Sequence, residues 1–221
     1  MSESHRIITP ALLIETASAD PCLAIWHEGE LRTQSLLSAN RRYDSAFFIN
    51  HLHSLLRLTN LELQDFKTLA YCAGPGQFSP LRVASLIARL LFRLNPALKI
   101  YKFNLTYLLF WRAKELNLVQ ERTDQIYLSS GHRGFFHETY NLSDKTIKQS
   151  VKLIKEMLGS GYQISESEYL PDFMLTDFMR RLIENPCSED FMVHDLSEII
   201  PHYIREANVS KPKTPPRSVL D

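Results

Sequence analysis

An α/β chain in two similar lobes, with mixed sheets flanked by helices, is what this sequence predicts. Three observations predict it. The first fifty residues are short apolar runs broken by Asp20-Pro21 and Glu28-Gly29-Glu30, which is strand patterning. Helix, strand and helix patterns follow, and the same theme then returns in the second half of the chain. A Gly-Pro-Gly turn joins an apolar strand to a long amphipathic run, as a strand-to-helix connection requires.

The elements follow in order. Leu12 to Glu15, Leu23 to His27 and Leu31 to Ser38 read as strands. Asp44 caps a helix that reaches Leu58, with apolar residues spread over a broad arc. Asn60 to Asp65 turns, and Thr68 to Ala73 is the next strand. Ser79 supplies an N-cap hydroxyl with Pro80 at the first helical position, and the helix runs to Leu94. Asn95-Pro96 stops it, because the residue before proline disfavours helical angles. Lys99 to Phe103 is a strand, and Asn104 caps a helix from Leu105 to about Leu116. Asp124 to Ser129 and Arg133 to Tyr140 read as a strand pair. Ser143 opens a helix that ends near Gly159-Ser160-Gly161, and Asp172 to Ile183 is another. Phe191 to His194 is a short strand, and Ser197 to Glu206 is the last ordered segment. The boundaries that result are a first lobe over residues 1–103, a second over 104–207, and a polar, proline-rich tail over 208–221 expected to be disordered.

Composition narrows the function classes. The chain has 221 residues, a formal net charge of zero and a pI near 7.1, so it lacks the basic excess of a protein that grips nucleic acid by itself. Cys22, Cys72 and Cys187 are too few and too scattered for a disulfide framework or a zinc pattern, and fit reduced thiols in a cytoplasmic protein. The apolar run Ala11 to Ile14 is too short for a signal core or a membrane span. His51 and His53 face different directions on a helix, and no His-Glu-x-x-His occurs, so no metal site is expected. Without a Gly-x-Ser-x-Gly elbow, nucleophilic catalysis has no support.

The run Tyr71-Cys72-Ala73-Gly74-Pro75-Gly76-Gln77-Phe78-Ser79-Pro80-Leu81-Arg82 holds two of the seven glycines. Amides at a helix start attract anions. Yet no lysine and hydroxyl close the loop as in a P-loop, and a dinucleotide fingerprint needs a third glycine. The turn is therefore read as structural, with phosphate contact by Glu15, Thr16, Gly74, Gly76 and Arg82 as the alternative. On the helix that follows, Arg82, Arg89 and Arg93 share a face with Ser85 beside them. Leu81, Val83, Ala84, Leu86, Ile87, Leu90, Leu91 and Leu94 cover an arc wider than one sheet contact needs.

This segment resembles the TsaB family, also called YeaZ, whose pattern is Leu-Ala-Tyr-x-x-Gly-Pro-Gly-x-Phe-Ser with an arginine near the helix start. Leu12-Leu13-Ile14-Glu15-Thr16-Ala17-Ser18 is similar to the family's opening strand, Cys22 to Trp26 to its second, and Gly29 to the hairpin turn between strands. Asp44 to Leu56 falls where its first helix lies. Ser130 to Phe136 matches weakly an internal strand, and Pro201-His202-Tyr203-Ile204-Arg205 resembles the closing segment. The chain departs from the pattern at Glu15, where aspartate is usual, at Asp44, at Ser130, and at Pro80, Ala84, Leu86 and Leu90, which stand where family members carry glycines.

The resemblance implies an actin-like, RNase H-like (ASKHA) fold. It implies no catalytic residue in this chain, no enzyme activity of its own and no cofactor of its own. ATP or an adenylate would sit at an interface with a catalytic paralogue, TsaD. Together with the ATPase TsaE, that pair forms N6-threonylcarbamoyladenosine in tRNA, which this chain would meet only through the complex. The two broad apolar helices would form half of a four-helix bundle, with Phe47, His51, Leu55, Val83, Ile87 and Leu90 lining the partner interface. Alone, the chain could pair with itself as a homodimer. The competing class is a stand-alone actin-like ATPase or phosphotransferase, in which Glu15 would hold a divalent metal against phosphates. The second half offers Gly131, Gly134, Gly159 and Gly161 but no paired-glycine loop to seat a nucleotide, so Glu15 and Thr16 are read first as stabilising the first hairpin.

Overall fold

The computed structural model describes residues 9–18, 21–36, 45–130, 134–164, 172–184 and 191–201. Two sheets organise them. The first is fed by β1 (Ala11–Glu15), β2 (Cys22–His27), β3 (Glu30–Ser35), β4 (Thr68–Gly74) and β5 (Lys99–Asn104), with α1 (Ser45–Thr59) and α2 (Phe78–Leu94) as crossovers. The second contains β6 (Gln125–Ser129), β7 (Phe135–Tyr140), β8 (Ile147–Ile154) and β9 (Tyr162–Ile164). Between and around them lie α3 (Leu105–Glu115), α4 (Asp172–Glu184) and the two-residue strand β10 (Met192–Val193).

The six-stranded sheet has the order β10-β5-β4-β1-β2-β3, and the four-stranded sheet the order β8-β7-β6-β9. β1 to β3 form an antiparallel meander, whereas β4 runs parallel to β1 and to β5. Both sheets are mixed, since β6 pairs antiparallel with β7 and parallel with β9. β10 crosses back from the end of the described chain to pair with β5, so the first sheet draws on both halves of the sequence.

Central strands are apolar on both faces, and the two faces serve different layers. Leu12, Ile14, Leu23, Ile25, Leu69, Tyr71, Ala73 and Ile100 point to one side, where they meet Phe48, Leu52 and Leu55 of α1 and Ala84, Ala88 and Leu91 of α2. Leu13, Ala24, Ala70, Cys72, Tyr101 and Phe103 point to the other, against α3, α4 and the second sheet. The alternation is the period-two pleat of a strand buried on both faces. Helix α3 is sandwiched, and every residue from Leu105 to Ala113 is buried. Aromatic rings fill this inner layer: Phe110 lies 4.3 Å from Tyr140 and Tyr107 4.6 Å from Phe191, centroid to centroid. Glu115 ties α3 to α4 by pairing with both Arg112 and Arg181.

A buried carboxyl fastens the start of α3 to the second sheet. Glu138 on β7 accepts hydrogen bonds from Asn104 Nδ2 at 2.7 Å, Thr106 Oγ1 at 2.7 Å and Tyr140 Oη at 2.8 Å. Burial nevertheless pushes its pKa above the ordinary carboxylate range.

Three expectations are corrected. The stretch from Ser143 to Gly159 is a strand, β8, over Ile147–Ile154, and not a helix. Ser79 is not the N-cap of α2; Gln77 holds that place, so Pro80 sits at the third helical position and is buried. The strand expected to reach Ser38 ends at Ser35. The caps and ends placed at Asp44, at 202–206 and in the 208–221 tail lie outside the described residues, as does Cys187.

Replacing Glu138 tests the fastening. Glu138→Ala strands three side-chain donors and should cost about 2–4 kcal/mol in urea unfolding. Because burial raises this pKa, the stability tied to the protonated form is full below the ordinary carboxylate value and fades as pH climbs through the raised one. Wild-type stability should therefore fall over that rise, and Glu138→Gln should remove part of the slope.

Candidate functional site

The end of β1 and the end of β4 lie side by side, because these strands pair in parallel with Ile14 opposite Tyr71. Each then breaks into a loop. After β1 the chain turns on itself through Glu15, whose buried carboxylate accepts from Ala17 N at 2.7 Å, Ser18 N at 3.1 Å and Ser18 Oγ at 2.5 Å. After β4 the chain makes the Gly74-Pro75-Gly76 turn, with a cis peptide before Pro75 and φ +125° at Gly74. That angle lies where side-chain-bearing residues are strained, which accounts for one glycine. The other is needed for space: a Cβ on Gly76 would lie 2.5 Å from the Ala17 carbonyl oxygen and 2.7 Å from its Cα. Thr16 completes the junction by donating from Oγ1 to the Pro80 carbonyl at 3.2 Å.

The Glu15 end of this junction is committed to its own loop. The Glu15 carboxylate already occupies the amides of Ala17 and Ser18, while α2 begins at Phe78 with no side-chain cap on its first turn. Burial raises the Glu15 pKa against the hydrogen bonds that lower it. Cys72 beside it is fully buried, and burial together with the Glu15 charge pushes its thiol well up, so it is held as a neutral thiol rather than a nucleophilic thiolate. Among the described residues, no group of three or more His, Cys, Asp or Glu could hold a metal ion.

The structure brings together Glu15, Thr16, Gly74 and Gly76 but not Arg82. Pro80 faces inward to Thr16, and at about 100° per residue Arg82 points to nearly the opposite side of α2. There its guanidinium lies over the Phe78 ring, 5.2 Å from the centroid, on the exposed surface. Arg82 instead belongs to a groove of about 450 Å³ between α2 and the segment through Ile199 and Pro201.

The residues expected at a partner surface divide. Leu90 is 45% exposed on the outer side of α2, with Val83 and Ile87 half-buried beside it. Leu55 is 1% exposed and lies in the core under α1, so it is not on that surface. His51 lines a groove with Gln34, Ser35, Asn50 and Ser54, on the flank of α1 that faces the edge strand β3. The side chain of Phe47 lies outside the described residues. Two residues of the same apolar arc that were not expected at the partner interface extend the outer surface: Leu86 at 66% and Leu94 at 61% exposure. Leu86, Leu90 and Leu94 recur every four residues, a spacing that puts them on one stripe, and that spacing was present in the sequence. What the sequence withheld was which part of the broad apolar arc the sheet would take.

The fold defined here, two mixed α/β sheets with a pair of helices on the outer face of the first, is that of YeaZ-like proteins. The structure of YeaZ from Pseudomonas aeruginosa matches with a TM-score of 0.61 at 14% identity, over 89% of this chain and 100% of that one. A crystal structure of an uncharacterized protein with similarity to peptidase YeaZ from Pseudomonas aeruginosa matches with a TM-score of 0.53 at 16% identity, over 67% of each chain. No protein-family model and no curated protein matches the sequence. Among the described residues, no helix is long and apolar enough to cross a membrane.

The junction predicts its own mutants. Gly76→Ala places a methyl group against rigid backbone and should cost at least about 2 kcal/mol in chemical denaturation. Gly29, at φ +80°, has nothing within 4 Å of a built Cβ, so Gly29→Ala carries backbone strain alone and should cost about 1 kcal/mol.

Proposed function

We propose that this chain is a non-catalytic subunit that binds a TsaD-like paralogue and supports it in forming N6-threonylcarbamoyladenosine in tRNA. One observation carries the reading: the outer face of α2 is an apolar stripe that the described residues leave uncovered. Leu86, Leu90 and Leu94 are 66%, 45% and 61% exposed on consecutive turns of one helix. Contiguous exposed apolar surface of this kind marks a contact site, and isolated exposed leucines elsewhere do not. The second sheet, α3 and α4 pack on the opposite face of the first sheet, so they do not reach α2 to shield it.

The YeaZ-like fold and the Gly-Pro-Gly segment support the same reading. In it the two sheets are the lobes of an actin-like, RNase H-like fold, and the outer helices supply half of a helical bundle to the partner. Catalysis, the metal and the TsaE-like ATPase belong to the rest of a cytoplasmic complex, and tRNA reaches this chain only through it. The alternative, a stand-alone ATPase or phosphotransferase, needs a free carboxylate at the end of β1, whereas Glu15 is buried and bound to its own loop. A homodimer through the same stripe is the competing occupant.

Leu90→Glu and Leu94→Glu together should abolish co-purification with a TsaD-like partner while leaving the circular dichroism spectrum and urea midpoint within experimental error. Both side chains are exposed, so the fold has little to lose. Retention of the partner by the double variant would overturn the assignment of this surface, and light scattering on the chain alone separates self-pairing from the heteromeric contact.

A further inference from the structure

We propose that the groove between α2 and Ile199–Pro201 binds a small organic phosphate, an anionic head attached to a flat apolar body. The inference does not depend on Leu90 and Leu94 of the partner stripe, which lie outside the groove, although Val83 and Leu86 border both surfaces.

The groove has two unlike walls. Arg82 and Arg89 stand two turns apart on one flank of the helix, about 10 Å along its axis, close enough for their long side chains to converge on one phosphate. Neither forms an ion pair with a described residue, and no acidic residue lines the groove. Val83, Leu86, Ile199 and Pro201 supply the apolar wall. The volume, about 450 Å³, falls in the range of small-molecule sites.

The second, independent observation is Ser85. It also lines the groove, lies between the two arginines in sequence, and is only 3% exposed. Its buried hydroxyl has no hydrogen-bond partner. A buried polar group left unpaired is costly, and a helical serine usually satisfies itself on the preceding turn. A phosphate oxygen held by the arginines would accept the Ser85 hydroxyl proton, and Ser79 at the groove mouth adds a further donor.

The test is isothermal titration calorimetry on the full-length chain, with naphthyl phosphate and inorganic phosphate as probes. Naphthyl phosphate should bind saturably, and inorganic phosphate at least tenfold more weakly, because it leaves the apolar wall empty. Arg89→Met and Ser85→Ala should each weaken naphthyl phosphate at least tenfold. Ser85→Ala should keep or raise the thermal midpoint, which separates a lost contact from a damaged fold. Raising the salt concentration should weaken binding further. Leu90→Glu with Leu94→Glu should leave it unchanged, because neither residue lines the groove. No binding at millimolar probe, equal affinity for the two phosphates, or binding indifferent to both Arg89→Met and Ser85→Ala would each overturn the proposal.

Discussion

The contact between Gly76 and Ala17 is the constraint from which the outer surface of this molecule follows. Two backbones meet where no side-chain atom fits, with a built Cβ only 2.5 Å from the Ala17 carbonyl. The approach is possible because Glu15 folds its own loop tightly, and because Thr16 reaches across to Pro80. Once the turn is seated, α2 must start at Phe78 and lie over β4. Its phase is then fixed. Leu81, Ala84, Ala88 and Leu91 are pressed inward, the arginines fall on one flank, and the leucine stripe is left facing out.

Glu15 and Cys72 at the same junction are committed to the fold. The carboxylate is spent on amides, and the thiol is neutral by burial. A glycine-rich strand-to-helix turn beside an acidic residue is a common phosphate cradle, and here Glu15, Thr16 and Gly76 draw the two loops into a close joint. The exposed leucines and the arginine-lined groove lie one helix width away, on the far side of α2. The two sides of this helix are therefore divided, its inner face packed on the sheet and its outer face left uncovered by the described residues.

Much of the first sheet was legible because its strands are short, apolar and bounded by turn residues. The parallel link from β1 to β4 follows from the helix placed between them. The second half was harder. Ile147, Val151 and Ile154 recur at three- and four-residue spacing with lysines between them, which imitates an amphipathic helix. Pairing with β7 decided otherwise, and as an edge strand β8 shows no clean alternation of buried and exposed residues to reveal it. At the candidate site, the glycines and Glu15 were readable as a joint. The phase of α1 was not, since its apolar arc admits several orientations, and only the sheet beneath sends Leu55 inward. The unpaired hydroxyl of Ser85 and the buried carboxyl of Glu138 depend on tertiary neighbours and leave no mark in sequence.

Hydrogen–deuterium exchange on the full chain, with and without a purified TsaD-like paralogue, is the most direct test that another protein covers α2. Peptides spanning Phe78–Leu94 should gain protection in the mixture, while α3, already enclosed, exchanges slowly in both states. A complex that forms without added protection over Phe78–Leu94, or the absence of any complex at micromolar concentrations, would contradict the account.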